Sequence, residues 1–191
     1  MSEKLKRIIG PLSREAAQEN LRRFTERSAV RDESGPRRVY TGTSKDNQFD
    51  AFKTGRRGAW FTENPELASK YAESNDSMDY KYDPGSRNFA SVNTASRVIP
   101  AYLNIENPHR LTQEDFDFLN SHENYARLQG QLFDRLRSQG HDGVDYGGGI
   151  WVAFDPRQIK SAIGNAGTYD PAEKSMMKSR GGILRKVSRH V

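Results

Sequence analysis

Short apolar stretches alternate with polar connections along the chain, and the segment 39–72 joins strand and helix patterns within few residues. Val39-Tyr40 predicts a strand that runs into Thr41-Gly42-Thr43, where small residues let a ligand approach the backbone closely. The stretch 58–62, which contains the aromatic pair Trp60-Phe61, predicts a second strand. The two strands therefore predict a pocket with a backbone floor and aromatic walls.

A helix is predicted directly after the second strand. The tripeptide Asn64-Pro65-Glu66 marks its start, because proline suits the first helical position and a carboxylate suits the first turn. Leu67, Ala68 and Tyr71 share one face of this helix at helical spacing. We expect Trp60 to be the neighbour of that face, so the helix forms a further wall of the pocket.

The rest of the pattern predicts a mixed α+β domain. A helix follows Ser13, which is its expected N-cap, and the stretch 28–36 is predicted to be a linker. The polar stretch 73–96 is typical of either a functional loop or a disordered segment. Further strands are predicted at residues 97–105, 144–146, 150–154 and 158–163, and further helices from Thr112 to about Leu119 and from Tyr125 to Ser138.

Five pieces of the chain, in this order, resemble the ADP-ribosyltransferase superfamily, in particular the small ADP-ribosyltransferase-like domains of phage polyvalent and virion-associated proteins. The first two are Thr41-Gly42-Thr43 and Gly58-Ala59-Trp60-Phe61-Thr62 with the helix that ends in Ala68-Ser69-Lys70-Tyr71-Ala72. The later pieces are the stretches 102–108, 140–144 and 152–170. The resemblance covers roughly residues 37 to 171. It implies an α+β fold with a split β-sheet core and flanking helices.

The resemblance also implies NAD+ as the co-substrate and assigns roles to residues of the pocket. The backbone of Gly42 would hold the nicotinamide carboxamide, with room left by the missing side chain. Trp60 and Tyr71 would stack on the nicotinamide ring, because aromatic faces attract a flat cation. The Thr43 and Thr62 hydroxyl groups would hydrogen-bond the nicotinamide or its ribose. The full set of predicted co-substrate contacts is Tyr40, Gly42, Thr43, Trp60, Phe61, Thr62 and Tyr71.

Two positions depart from the family pattern. Relatives carry a glutamate just before or at the start of the late strand, where this chain has glycines followed by Ile150-Trp151. Asp145 is therefore the first candidate for the carboxylate that stabilises the positive charge developing on the ribose. Asp142 is the second candidate, and its Gly-His-Asp-Gly setting also fits a turn residue. Thr41 takes the place of a histidine or arginine and is predicted to bond a ribose hydroxyl.

Structural interpretations stand beside these functional ones. Trp60 and Tyr71 also fit a core, Gly42 fits a simple bend, and the glycines 147–149 fit a turn. Lys160 fits a charge on an edge strand, which would discourage edge pairing. His141 fits a turn better than it fits a catalytic base.

Composition narrows the possible classes of protein. The 191 residues fit one domain with tails, and no apolar run approaches the length of a membrane span or of a signal-peptide core. With no cysteine, the chain has no disulfide, cysteine nucleophile or thiolate metal site. The histidines show no metal-ligand spacing, so no metal site is predicted.

Charge divides the chain into three parts. Residues 1–38 carry ten Lys/Arg against six Asp/Glu, and residues 172–191 carry six against one, which leaves a net charge of −4 for residues 39–171. We therefore predict a basic helical extension with a linker (1–36), the transferase-like domain (37–171) and a basic tail (172–191). Basic termini favour nucleic acid or an acidic protein surface, and they equally fit tails that keep the protein in solution.

The first functional hypothesis is a mono-ADP-ribosyltransferase that uses NAD+ to modify a macromolecule, expected to be a host protein in the host cytoplasm. The second is a catalytically degenerate relative that serves as a virion or interaction protein, since the histidine or arginine and the glutamate are both replaced. The third is a nucleic-acid-binding protein that acts through its termini. The sequence predicts no membrane partner and leaves the oligomeric state open.

Overall fold

The structure is a computed structural model that describes residues 12–43, 51–74, 79–83, 88–92, 97–121 and 124–177. Within these residues the helices are α1 (Arg14–Phe24), α2 (Pro65–Ser74), α3 (Gln113–Asn120) and α4 (Tyr125–Ser138). The strands are β1 (Arg31–Asp32), β2 (Gly35–Pro36), β3 (Val39–Thr43), β4 (Ala59–Thr62), β5 (Asp79–Asp83), β6 (Asn88–Val92), β7 (Arg97–Leu103), β8 (Pro108–Arg110), β9 (Gly143–Gly147), β10 (Ile150–Ala153) and β11 (Ile159–Ser161). The basic stretches 1–11 and 178–191 lie outside the described residues.

Seven strands form one mixed sheet in the order β11-β7-β3-β4-β10-β9-β8. Neighbouring strands are antiparallel except β8 and β9, which run parallel. β3 pairs with β7 over five residues, whereas Tyr40 with Thr62 is the single register pair between β3 and β4 in the described chain. The sheet is thus split at this point, which confirms the predicted α+β fold with a split sheet and flanking helices.

The two faces of the sheet bury different parts of the core, because side chains alternate along each strand. One face is packed around Val39, Phe61 and Trp151. On the opposite face, α3 and α4 cover Val144 and Val152 with their leucine and phenylalanine side chains. Registers across the sheet therefore decide which of the two environments each side chain meets.

The helices begin where their capping residues predict. Ser13 accepts a hydrogen bond from the Ala16 amide, and Thr112 forms a capping box with Asp115. The Asn64 side chain accepts from the amides of Glu66 and Leu67 at the start of α2. α4 spans the range that its apolar spacing predicts, and the positive φ of 88° at Gly140 follows its end.

The N-terminal segment, which includes α1 and the stretch predicted as a linker, packs against the rest of the domain. The Asn20 side chain donates to the Gly167 carbonyl at 3.0 Å, and Phe24 stacks on Tyr169 with 6.3 Å between ring centroids. In the stretch predicted as a linker, the Ser28 hydroxyl donates to the Leu103 carbonyl and Val30 is fully buried. These contacts hold α1 and the small β1–β2 pair against the sheet.

The polar stretch 73–96 contains a two-stranded antiparallel pair, β5 with β6, and its residues 75–78, 84–87 and 93–96 lie outside the described residues. Pro100 is not on an edge strand, because β7 lies between β11 and β3. The last register pair between β11 and β7 is Ser161 with Ala101, one residue after Pro100 in the chain. The ladder between these two strands therefore requires no hydrogen bond from an N–H at Pro100. None of the helices in the described ranges has the length and apolar character that crossing a membrane requires.

Candidate functional site

Three strands meet where the sheet splits. Tyr40 pairs with Thr62, and Thr62 pairs with Ile150, so the three side chains lie in one row on the same face as Trp60 and Val152. The Thr62 side chain is buried, and its hydroxyl oxygen accepts a hydrogen bond from the Asn64 amide at 3.1 Å. Thr62 thus holds the start of α2.

The space beside Gly42 is filled by α2. A Cβ at this position would lie 2.2 Å from the Ala68 carbonyl oxygen and 2.6 Å from the Ala72 amide nitrogen. The sequence predicts that the missing side chain makes room for nicotinamide, and the structure corrects this prediction. The glycine is needed because the helix backbone approaches the strand too closely for any side chain.

Trp60 lies in an aromatic group on the α4 side of the sheet. Its ring is 4.6 Å from that of Tyr146 and 6.3 Å from that of Phe133, centroid to centroid, and its indole N–H donates to the Arg57 carbonyl. Tyr71, its expected neighbour, is 54% exposed on α2. Ala68 and Ala72 form the buried face of that helix instead, because the two residues are one turn apart.

The sequence analysis missed Tyr146 and Gln129. The Gln129 side-chain amide donates to the Tyr146 hydroxyl at 3.1 Å, and burial raises the pKa of Tyr146. Tyr146 therefore stays protonated at neutral pH. Two signals could have indicated the pair: Tyr146 stands two residues after the strand residue Val144, and Gln129 shares the helical spacing of the apolar residues of α4.

The other residues predicted to contact the co-substrate lie on different faces of the sheet. Phe61 is 2% exposed and packs edge-to-face on Phe52 at 5.3 Å, so its predicted contact with the co-substrate is wrong and it is a core residue. Thr41 and Thr43 are half-buried and follow Val39 at alternate positions of β3, which places them on the Val39 face. Tyr40 is half-buried in the row at the split.

Asp145 is held by its neighbours in the β9–β10 region. Its carboxylate accepts from the Arg110 guanidinium at 2.6 Å and from the Gly147 amide at 2.7 Å. Asp145 pairs in register with Trp151, so its side chain lies on the face opposite Trp60. β9 is also three strands from β3, about 14 Å away. Strand alternation and spacing therefore do not bring Asp145 together with Thr41 or Trp60.

The second carboxylate candidate, Asp142, has a structural setting. It accepts hydrogen bonds from the backbone amides of Glu106 and Asn107, both at 2.8 Å, and from the Gln158 side chain. These bonds tie the loop after β7 to the start of β9. Among the described residues, no group of His, Asp and Glu side chains is arranged to hold a metal ion.

Glu63 is an acidic residue that lies next to the start of β10, because β4 and β10 pair side by side. Its backbone amide donates to the Gly149 carbonyl at 2.8 Å. Its carboxylate accepts from the Trp151 indole N–H at 3.0 Å and from the Arg37 guanidinium at 2.9 Å. The sequence gives one signal for this residue, its position directly after the aromatic strand.

A family model described as ADP-ribosyltransferase in polyvalent proteins matches residues 32–169. The chain belongs to this family. No curated protein and no solved structure matched the chain.

The row at the split includes the start of β10, the region where the resemblance implies a glutamate. This chain has glycines followed by Ile150 there, and the neighbours of Ile150 in the row are Thr62 and Tyr40. The row therefore offers hydroxyl groups and a backbone edge. The nearest acidic groups by register, Glu63 and Asp145, are both engaged with arginine side chains.

Proposed function

We propose that this domain transfers ADP-ribose from NAD+ to a macromolecular target, with a protein of the host cell as the first candidate. Membership in the ADP-ribosyltransferase family is the observation that carries the proposal. The split between β3 and β4 supports it, because it opens the sheet beside the residues that resemble the family's co-substrate contacts. The expected place of action is the host cytoplasm, with association to a virion as a second setting.

The proposed reaction breaks the bond between nicotinamide and C1′ of the ribose. Nicotinamide leaves with the bonding electron pair, and a nucleophile of the target bonds to C1′ and loses its proton. Thr41 and Thr43 are assigned to the ribose hydroxyls and the Gly42 backbone to the carboxamide. Tyr71 is assigned to the nicotinamide ring, because its aromatic side chain is exposed on α2. Asp145 is assigned to the developing positive charge. This last role requires the carboxylate to leave Arg110. It also requires β9 and β3 to come closer together around the ligand, because the two strands lie about 14 Å apart.

The first experiment measures NAD+ binding by calorimetry and nicotinamide release in the same sample, with and without host lysate. We expect binding, and release that depends on the lysate. Asp145→Asn should lower the release rate at least about tenfold, which corresponds to about 1.4 kcal/mol of transition-state stabilisation. The amide oxygen keeps an acceptor for Gly147, so the turn remains formed.

The matched control is Asp117→Asn, which changes a carboxylate on α3 that accepts from Gln113 far from the split. Its release rate should equal that of the unchanged protein. If both variants release nicotinamide at the unchanged rate, the role of Asp145 is wrong although the transferase proposal survives. If NAD+ at millimolar concentration does not bind, the transferase proposal fails.

A second candidate function is a degenerate transferase domain that serves as an interaction module of a virion. Two observations favour it: Ile150 occupies the glutamate position, and Asp145 is ion-paired on the face opposite Trp60. The same experiment separates the two candidates. NAD+ binding without nicotinamide release under any lysate condition would favour the module that retains only the nucleotide site.

A further inference from the structure

A cavity of about 480 Å³ opens beside Trp60, between residues 53–58 and α4. Its volume is within the range of small-ligand sites. Its charged lining is entirely cationic among the described residues, and we call it the basic cavity. It is lined by Lys53, Thr54, Gly55, Arg56, Arg57, Gly58, Trp60 and Gln129.

Two of the three cations are available to a ligand. Arg56 donates to the Asp134 carboxylate with two nitrogens, at 2.8 and 2.5 Å, so its guanidinium group is already engaged. The same carboxylate also accepts from Arg137 at 3.2 Å. Lys53 and Arg57 are exposed, and within the described part of the chain neither forms an ion pair. The cavity therefore presents two uncompensated positive charges although residues 39–171 carry a negative net charge.

The wall that carries these cations is fixed in place. Arg137 donates to the carbonyls of Gly55 and Arg56 at 3.0 and 2.9 Å, and the Trp60 indole N–H donates to the Arg57 carbonyl. Gly58 has a positive φ of 64°, and a Cβ there would lie 2.4 Å from Val152. A wall that is already ordered loses little conformational entropy when a ligand binds.

The uncharged part of the lining fits a nucleotide base. Trp60 offers an aromatic ring at the cavity, and Gln129 offers a side-chain amide that donates one of its two N–H groups to Tyr146. Single-stranded nucleic acids are bound by this combination of cations for the phosphates, an aromatic ring for stacking and a polar group for the base edge. An acidic peptide would also use the two cations, but only a peptide with a suitably placed flat side chain would use the ring, whereas every nucleotide carries a flat base.

We propose that the basic cavity binds one nucleotide of a single-stranded nucleic acid, with Lys53 and Arg57 on the phosphates and Trp60 against the base. A single-stranded nucleic acid and a free mononucleotide both present a nucleoside phosphate, so either could be the source of the ligand. The resemblance implies that Trp60 stacks on nicotinamide, and this proposal assigns Trp60 to the base of the nucleic acid instead. The residues assigned to NAD+ under the proposed function are not among those that line the basic cavity, so the proposal does not depend on transferase activity.

The test uses the full chain and a fluorescein-labelled 20-nucleotide thymidine strand, with anisotropy measured between 50 and 200 mM salt. The double variant Lys53→Gln/Arg57→Gln should raise the Kd about tenfold at the lowest salt. It should also reduce the slope of log K against log salt by about 1.4, since two phosphate contacts of about 0.7 each are lost. Arg14→Gln/Lys174→Gln removes two exposed charges elsewhere and should change neither quantity.

Competition identifies the source of the nucleotide. Unlabelled strand should displace the probe, AMP should displace it only at millimolar concentration, and saturating NAD+ should leave it bound. In a Trp151→Phe variant, whose single tryptophan is Trp60, the tryptophan fluorescence should be quenched by the strand and not by inorganic pyrophosphate. The proposal is overturned if the unchanged protein does not bind the strand at 50 mM salt, if the Lys53/Arg57 variant binds it equally well, or if NAD+ displaces it. NAD+ calorimetry on the same variant reports on the transferase proposal independently.

Discussion

At the scale of single residues, several residues within the sequence motifs have structural roles that the motifs alone do not reveal. Gly42 is small because α2 crosses the strand at that point, and Phe61 is aromatic because it fills the core. Asp142 caps backbone amides. In each case the residue type is required by packing or hydrogen bonding before any ligand is considered.

Gly42→Ala should therefore destabilise the protein by about 1–3 kcal/mol, because the added methyl group overlaps the backbone of α2 and the helix must shift. Urea unfolding followed by circular dichroism measures this change. Gly130→Ala is the matched control. Its Cβ would meet its nearest neighbour at 3.9 Å, and alanine should stabilise the interior of α4 by about 0.5–1 kcal/mol. Equal stability of the two variants would show that α2 does not press on Gly42.

At the scale of elements, the sequence predicts most of the helices and strands but not which side chains meet. The range of α4 follows from its apolar spacing, and the β9–β10 hairpin follows from three consecutive glycines, all with positive φ. The face of each strand residue depends on register, which a shift between Ile150 and Trp151 alters. For this reason the sequence could place Trp60 and Asp145 near one another while the sheet separates them.

Glu63 is the residue that fixes the junction between β4 and α2 to β10. Glu63→Ala should cost about 1–3 kcal/mol, because the N–H of the buried Trp151 loses its acceptor. Glu63→Gln keeps an oxygen for Trp151 and loses the pair with the partly exposed Arg37, so its cost should be at most about 1 kcal/mol. Urea unfolding of both variants gives the comparison.

The control for this series is Glu66→Ala, an exposed acidic residue in the first turn of α2. It should change the free energy of unfolding by at most about 0.5 kcal/mol. If Glu63→Gln is as damaging as Glu63→Ala, the ion pair with Arg37 stabilises the junction and the indole contact does not.

At the scale of the whole molecule, segments from both ends of the described chain close over the β11 edge of the sheet. Lys160 lies at the centre of this contact and is fully buried, whereas the sequence suggests an exposed charge on an edge strand. Its ammonium group donates to the carbonyls of Glu173 and Ser175 and lies 5.9 Å from the ring of Phe24 on α1. The edge is thus covered by the chain itself.

Lys160→Met should loosen the segment 171–177, because two carbonyls lose their donor. The Ser161 amide, which donates to the Met176 carbonyl, should then exchange its hydrogen about tenfold faster, equivalent to about 1.4 kcal/mol of local opening. Lys70→Met, an exposed change on α2, is the control. Unchanged exchange at Ser161 would show that Lys160 does not hold the segment.

The same variant carries a pH dependence with a defined sign. Burial lowers the pKa of Lys160, against the opposing effect of the Asp170, Glu173 and Asp155 carboxylates. As the pH rises from the folded pKa toward the unfolded value of about 10.4, the unfolded chain binds more protons than the folded one, so the unchanged protein gains stability. Lys160→Met lacks this gain. Urea unfolding at pH 7 and pH 10 measures the difference in free energy of unfolding between the unchanged protein and Lys160→Met. This difference should shift in favour of the unchanged protein at pH 10. A difference that is the same at both pH values would mean that the buried ammonium group is not desolvated.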